Sequence, residues 1–197
     1  MKMGWPDLMR ADARRNRERL LDAAVDVILD AGGEPARDAL ARRAGVGIGT
    51  LYRHFPDRQS LLHAVALHVL DRTITDGEAL LDTAANGADA LREYMHLAVD
   101  NGLGALNLVY PLLDDVDWPE RRERADALLS GIVDRAKRDG PMRPDATAQD
   151  VGFAIIRACR PLAVGLPPDD ERTLAHRHID IYVDGLVADR PPHDQRV

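Results

Sequence analysis

AGVGIGTLYRHF, residues 44–55, is the stretch on which the reading of this chain turns. Gly45, Gly47 and Gly49 fall within five positions. A glycine-rich loop that opens a helix can cradle a nucleotide phosphate, or it can form the sharp turn between two short helices that dock on DNA. The flanking residues decide between them. A dinucleotide fingerprint requires a buried strand ahead of the glycines. Here RDALARRA (37–44) precedes them, and its alanines, leucine and arginines favour helix. A phosphate-binding P-loop requires Lys followed by Ser or Thr after the last glycine. Gly49 is followed instead by Thr50 and Leu51. What remains is a helix-turn-helix, in which Ala44 is small enough to sit inside the angle, Gly45 takes the left-handed conformation, and Val46 anchors the turn.

The rest of the 197-residue chain reads as helix as well. Runs of alternating β-branched residues are absent, and apolar residues recur at helical spacing. Leu20, Leu21, Ala24, Val27, Ile28 and Ala31 form one stripe over 15–31, stopped by Gly32 and Gly33. Short helices follow at 36–44 and 48–54. Asp57 then caps a long helix to about residue 82. Five more helices are expected at 87–103, 105–116, 119–138, 146–164 and 169–188, with a frayed tail at 189–197. The expected fold is therefore all-α, with about nine helices: a helix-turn-helix unit with an N-terminal arm over 1–60, and a helical domain over 61–197 that carries a ligand pocket and a dimer face.

Charge and cysteine content narrow the functional classes. The net charge is −7, which argues against a protein that coats nucleic acid over its whole surface. Its distribution is uneven: residues 1–72 carry +2 and residues 73–197 carry −9. Any polyanion contact is expected near the N-terminus. The single cysteine, Cys159, cannot form an intrachain disulfide, and it lies in the apolar run GFAIIRAC. No apolar run reaches signal-peptide or membrane-span length, so a cytoplasmic protein without membrane contact is expected. The histidine pairs His63/His68 and His176/His178 do not share a helix face and lack further ligands, so no metal and no cofactor is expected. No Ser or Cys sits in a nucleophile context, so catalysis is not expected either.

The segments LLDAAVDVILDAG and LARRAGVGIGTLYRHFPDRQSLLHAV resemble the DNA-binding domain of the TetR family of transcriptional regulators over about residues 15–66. That resemblance implies a homodimer that binds double-stranded operator DNA, typically a repressor released by a small-molecule effector. Gly47 and Gly49 let the backbone approach DNA, and Thr50 offers a hydroxyl to phosphate or a methyl to thymine. Tyr52 and His54 resemble the family's phosphate-contacting aromatic pair, although such residues can also pack with their tips in water. Arg53 is the candidate for base reading, because a guanidinium bonds bidentately to guanine. Arg58 matches a position where the family often has Lys for a phosphate. The family's Ser or Thr at the start of the second helix is replaced here by Pro35-Ala36, leaving Arg37 for that phosphate. Arg14 and Arg15 begin a basic cluster with Arg17 and Arg19, read as an arm on DNA or as a solvated helix end.

In the second domain, Ile155, Cys159, Ile179, Tyr182, Val183 and Leu186 form apolar stripes on the last two helices. They are expected to pair with a second copy, the alternative being closure of the internal core. Tyr94, Asn101, Tyr110, Trp118, Arg157 and Arg160 are candidate pocket residues, the two arginines for an anionic effector or for ion pairs. The competing functional class is a helical dimer that holds a small molecule without binding DNA.

Overall fold

The computed structural model describes residues 5–140, 142–162 and 165–187, with side chains from Arg14 onward. Helix accounts for 79% of the structure, and there is no strand among the described residues. The helices are α1 (Trp5–Ala31), α2 (Arg37–Arg43), α3 (Ile48–His54), α4 (Arg58–Thr83), α5 (Gly87–Asp100), α6 (Leu103–Val109), α7 (Pro119–Asp139), α8 (Ala148–Cys159) and α9 (Pro168–Val187). The expected 189–197 tail lies outside the described residues.

Helix boundaries follow local chemistry. The Asp57 carboxylate accepts from the Ser60 N–H at 2.7 Å, and the Ser60 hydroxyl accepts from the Asp57 N–H at 3.3 Å. This reciprocal cap starts α4 and contributes about 1 kcal/mol. Thr147 and Asp150 form the same box at the start of α8.

Three expected boundaries are corrected. α1 begins at Trp5 rather than 15, because DLMRADAR (7–14) contains good helix formers and no breaker. The expected arm is therefore helical where it is described. The expected 105–116 helix stops at Val109 and tightens into a 3₁₀ turn, Tyr110–Leu112, because Pro111 cannot donate the next α-helical bond. α8 ends at Cys159 rather than 164: Arg160 precedes Pro161 and is extended, with ψ 121°. Residues 163 and 164 of that expectation lie outside the described residues.

Two buried clusters organise the chain. The first contains Leu20, Ile28, Leu40, Leu51, Phe55, Leu62 and Val69 from α1 to α4, and is completed by Ala105, Leu106 and Val109 of α6. The second joins α5, α7, α8 and α9 through Leu91, Met95, Ile132, Val151, Ile155, Ile179 and Val183. We call the first three helices the head and the α5–α9 assembly the body; α4 runs from one into the other, and α6 packs on both.

A polar seam runs beside the second core between α5 and α9. Arg92 meets Asp180 at 2.6 Å and Asp184 at 2.5 Å, and Arg172 meets Asp100 at 2.5 Å. Between them the His96 and His176 rings face each other, Nδ1 to Nδ1 at 2.7 Å. Their outer nitrogens lie 3.1 Å from Asp180 and Asp100 respectively. Ion pairs this exposed contribute only about 0–1 kcal/mol each, whereas a fully buried Ile or Leu contributes roughly 1.5–3 kcal/mol. The seam therefore sets the register of α5 against α9, and the apolar cluster holds them together.

Gly104 is where α6 fits between α1 and α8. A Cβ there would collide with the carbonyl oxygen of Cys159 and stand 3.0 Å from Leu29 Cδ2. The carbonyl belongs to backbone and cannot rotate away. Gly104→Ala should therefore lower unfolding stability by about 1–3 kcal/mol. At Gly131 in α7 the nearest atom to such a Cβ is Leu81 Cδ1 at 3.7 Å, so Gly131→Ala should be neutral or stabilising by up to about 1 kcal/mol. Urea denaturation of the two variants checks this contrast.

Candidate nucleic-acid interface and effector cavity

The turn between α2 and α3 forms as its residues dictate. Gly45 has φ +66°, and its N–H together with that of Val46 bonds back to the carbonyls of Arg42 and Ala41. Ala44 and Val46 are partly buried against the first core. Leu51 and Phe55, almost fully buried, fasten α3 to that core. Their burial leaves the opposite face of α3 in solvent, where Ile48 is 41% and Tyr52 48% exposed. Gly47, Gly49 and Arg53 are exposed beside them.

Gly47 and Gly49 have no use inside the protomer. Neither has positive φ, and a Cβ at either would meet nothing within 4 Å. The glycines therefore leave a bare stretch of backbone facing outward. Thr50 is half-buried next to it. The Arg53 guanidinium folds back on its own helix, donating to the Gly49 carbonyl at 3.4 Å and the Thr50 hydroxyl at 3.3 Å. These are long, exposed bonds that cost little to exchange. His54 is half-buried, its ring tilted against Phe55 at 6.2 Å.

The other basic residues divide into two groups. Arg37 is not poised outward as expected: its Nη1 donates to the Phe55 carbonyl at 2.9 Å, and its guanidinium lies 4.6 Å from the Tyr52 ring centroid. It thereby binds the end of α3 and supports the Tyr52 ring. The signal missed in the sequence is long-range, since residues 37 and 55 meet only after the turn forms. Arg58 is engaged by Glu34 at 2.8 Å, which pushes its already high pKa further up. A phosphate there would compete with that carboxylate. Arg14 lies 3.8 Å from Glu18, both exposed, and Arg15 is exposed one residue on. Arg17 is 5.3 Å from the Phe55 ring centroid, so the α1 arginines sit next to the α3 anchor.

A cavity of about 370 Å³ opens where head meets body. Val25 and Leu29 of α1 and Arg43 of α2 form one side; the end of α8, the following loop and the start of α9 form the other. Of the six expected pocket residues, only Arg157 and Arg160 line it. The other four are used elsewhere. Tyr94 is buried in the second core, with its phenol pushed up to about 12 by burial. The Asn101 amide donates to Asp76 at 3.1 Å. Tyr110 and Trp118 meet edge-on with ring centroids 6.4 Å apart, and Trp118 also meets His63. Arg43 and Arg172 line the cavity and were missed, because nothing local marks a residue of α2 as facing α9.

The expected dimer stripes also need correction. Ile155, Cys159, Ile179, Val183 and Leu186 are all buried within the protomer, and Ile179 and Val183 are fully enclosed. Tyr182 is half-buried beside them. These side chains close the internal core. The exposed apolar residues of this region are instead Phe153 (51%) and Ile156 (44%) on α8, Leu162 and Leu166 in the loop, and Ile181 (60%) on α9. Burial pushes the Cys159 thiol up to about 12, so it stays protonated and is a poor nucleophile. Among the described residues, no three His, Cys, Asp or Glu side chains converge on a metal-sized site. None of the described helices is long and apolar enough to cross a membrane.

Residues 20–65 match the sequence profile described as bacterial regulatory proteins, tetR family. The chain is 30% identical over 158 residues to the HTH-type transcriptional repressor LfrR of Mycolicibacterium smegmatis, covering 79% of this chain and 83% of that protein. The crystal structure of a TetR transcription regulatory protein from Mycobacterium vanbaalenii superimposes with a TM-score of 0.63 at 32% identity, over 91% of this chain and 99% of that one. That of LfrR from Mycobacterium smegmatis in complex with proflavine superimposes with a TM-score of 0.63 at 27% identity, over 91% and 98%. Similarity of this extent reaches through both head and body, and the chain belongs to the TetR family of transcriptional regulators, not to a family of enzymes.

Proposed function

We propose that the protein is a homodimeric repressor that binds double-stranded operator DNA through α3 and leaves it when a small molecule binds. The observation that carries this reading is the outward face of α3. Its bare glycine backbone, exposed Ile48 and Tyr52, and loosely held Arg53 lie outside the buried cores of the protomer. A helix in the major groove reads base edges with such residues, while its flanks hold phosphates. In this reading Arg53 reads a base, and Thr50, Tyr52, His54 and Arg58 hold the backbone together with Arg14 and Arg15 of α1. Arg37 acts from behind, by setting the Tyr52 ring. The division of labour is a DNA-binding head over 1–60 and an effector-binding, dimerising part over 61–197.

Two heads must be spaced for successive major grooves, about 34–36 Å apart or a multiple of that. The dimer supplies this spacing through the outer faces of α8 and α9, where Phe153, Ile156 and Ile181 leave apolar surface uncovered. An effector that prefers another placement of the heads weakens operator binding by linkage. Relatives support such a response: LfrR has been crystallised with proflavine. The competing reading, a small-molecule-binding dimer indifferent to DNA, leaves the α3 face without a purpose. Fluorescence anisotropy with fragments selected from genomic DNA, repeated at two salt concentrations, tests the proposal; absence of any salt-dependent, sequence-selective binding would reject it.

Tyr52→Phe keeps the ring over Arg37 but removes the hydroxyl, so affinity should fall by about 1.5–3 kcal/mol on every operator variant alike. Arg53→Ala should lose about 1–3 kcal/mol at one base position and little elsewhere. Titrations against a panel of single-base operator variants separate the two patterns.

Ile181→Asp places a charge on a face already open to solvent, so the protomer should stay folded while the dimer dissociates and operator affinity drops. Ile179→Asp buries an unpaired charge in the second core and should cost several kcal/mol of protomer stability. Sedimentation equilibrium and thermal unfolding of both variants check this. A dimeric Ile181→Asp would move the interface elsewhere.

A further inference from the structure

We propose that the effector binds in the cavity between head and body, and that it is an amphiphilic anion: a compact apolar skeleton carrying one carboxylate, sulfonate or phosphate group. This rests on the reading of the chain as an effector-responsive regulator. A volume of about 370 Å³ lies within the usual range of small-molecule sites. Five carboxylates and four arginines line it, so the pairing of these groups, not their sum, selects the ligand. Of the four arginines lining it, Arg43 is held by Asp26 at 3.0 Å and Asp30 at 3.7 Å, and Arg172 by Asp100 at 2.5 Å. The guanidiniums of Arg157 and Arg160, on the last turn and cap of α8, have no hydrogen-bond or ion-pair partner among the described residues. On the acidic side Glu171 already accepts the Leu162 N–H at 3.1 Å, which leaves Asp169 as the carboxylate with no donor to its side chain. Two unengaged guanidiniums lining one cavity present a donor set suited to one oxyanion. Val25 and Leu29 on α1, facing Val99 and Leu174 from the body, supply the apolar part of the surface.

The position of the cavity gives binding a consequence. Its α1 wall moves with the head, and its α8 wall belongs to the body. The two walls are spaced by α6, whose Gly104 sits against both Leu29 and the Cys159 backbone. A ligand that holds Arg157 and Arg160 while pressing on Leu29 contacts both units at once. It can therefore favour one head placement over another, which is the differential contact that any population shift requires.

The test uses the full-length protein and two fluorescent probes of similar size and opposite charge: 8-anilinonaphthalene-1-sulfonate and proflavine. Each is titrated into the wild type, the double variant Arg157→Gln/Arg160→Gln, the charge-keeping variant Arg157→Lys/Arg160→Lys, and Asp169→Asn, all checked for unchanged thermal midpoint. The sulfonate should bind the wild type and the Asp169→Asn variant comparably. It should bind the glutamine variant at least 10-fold more weakly, with partial recovery in the lysine variant. Saturating sulfonate should lower wild-type operator affinity at least 10-fold, while the glutamine variant should bind operator normally and no longer respond. Equal sulfonate binding by wild type and glutamine variant would overturn the site. Preferential proflavine binding that is lost in Asp169→Asn would overturn the anionic assignment. Arginine-dependent sulfonate binding with no change in operator affinity would overturn the effector role. Failure of the wild type to bind any DNA fragment, by contrast, would reject the regulator reading itself.

Discussion

The head of this protein is not closed by its own helices. Ala105, Leu106 and Val109 of α6 complete the buried cluster that contains Leu20, Leu51 and Phe55. Removing them from that cluster would expose apolar surface on α1 and α4, at about 25 cal/mol for each Å². The head is thus tied to a segment that also rests, at Gly104, on the last turn of α8. This shared core is the constraint on which the arrangement depends. Close-packed interiors do not deform smoothly, so the spacing of α1 from α8 and the seating of the head on α6 are set together.

Polar contacts then refine what the two cores hold. The guanidinium of Arg37 spends its donor on the Phe55 carbonyl and its face on Tyr52, which limits the freedom of the ring on the exposed side of α3. Less ordering entropy is then lost when that side meets a ligand. Arg121 with Asp71 and Arg124 with Glu78 stitch α7 to α4, and the Arg92–His96–Asp100 row stitches α5 to α9. Most of these pairs are well exposed, so they choose registers more than they contribute free energy. Against this background, Arg157 and Arg160, whose guanidiniums are paired with no carboxylate among the described residues, stand out from Arg43 and Arg172 in the same cavity.

Much of the fold was legible in the sequence because its cues are local. The left-handed Gly45 and the Asp57–Ser60 cap depend on a few consecutive residues. So do the breaks around Pro111 and Pro161, even though the helices stop sooner there than periodicity alone implied. The α3 face was legible for the same reason: the nine residues from Gly47 to Phe55 contain its anchor, its glycines and its basic tip. By itself, then, the sequence determined an all-helical chain, a helix-turn-helix at 36–54, and which residues of each helix are apolar.

Tertiary structure decided which surface each apolar or charged residue meets. A stripe such as Ile179–Tyr182–Val183–Leu186 has the same period whether it covers an internal core or a second copy, and only the packing of α9 on α5 and α8 turned it inward. It left Ile181, one position off the stripe, in solvent. Arg43 and Arg157 are 114 positions apart and came to one cavity because α6 spaces α1 from α8. Periodicity records that a face is buried but carries no information about its partner. That partner follows from close packing among distant segments, a property of the whole folded chain.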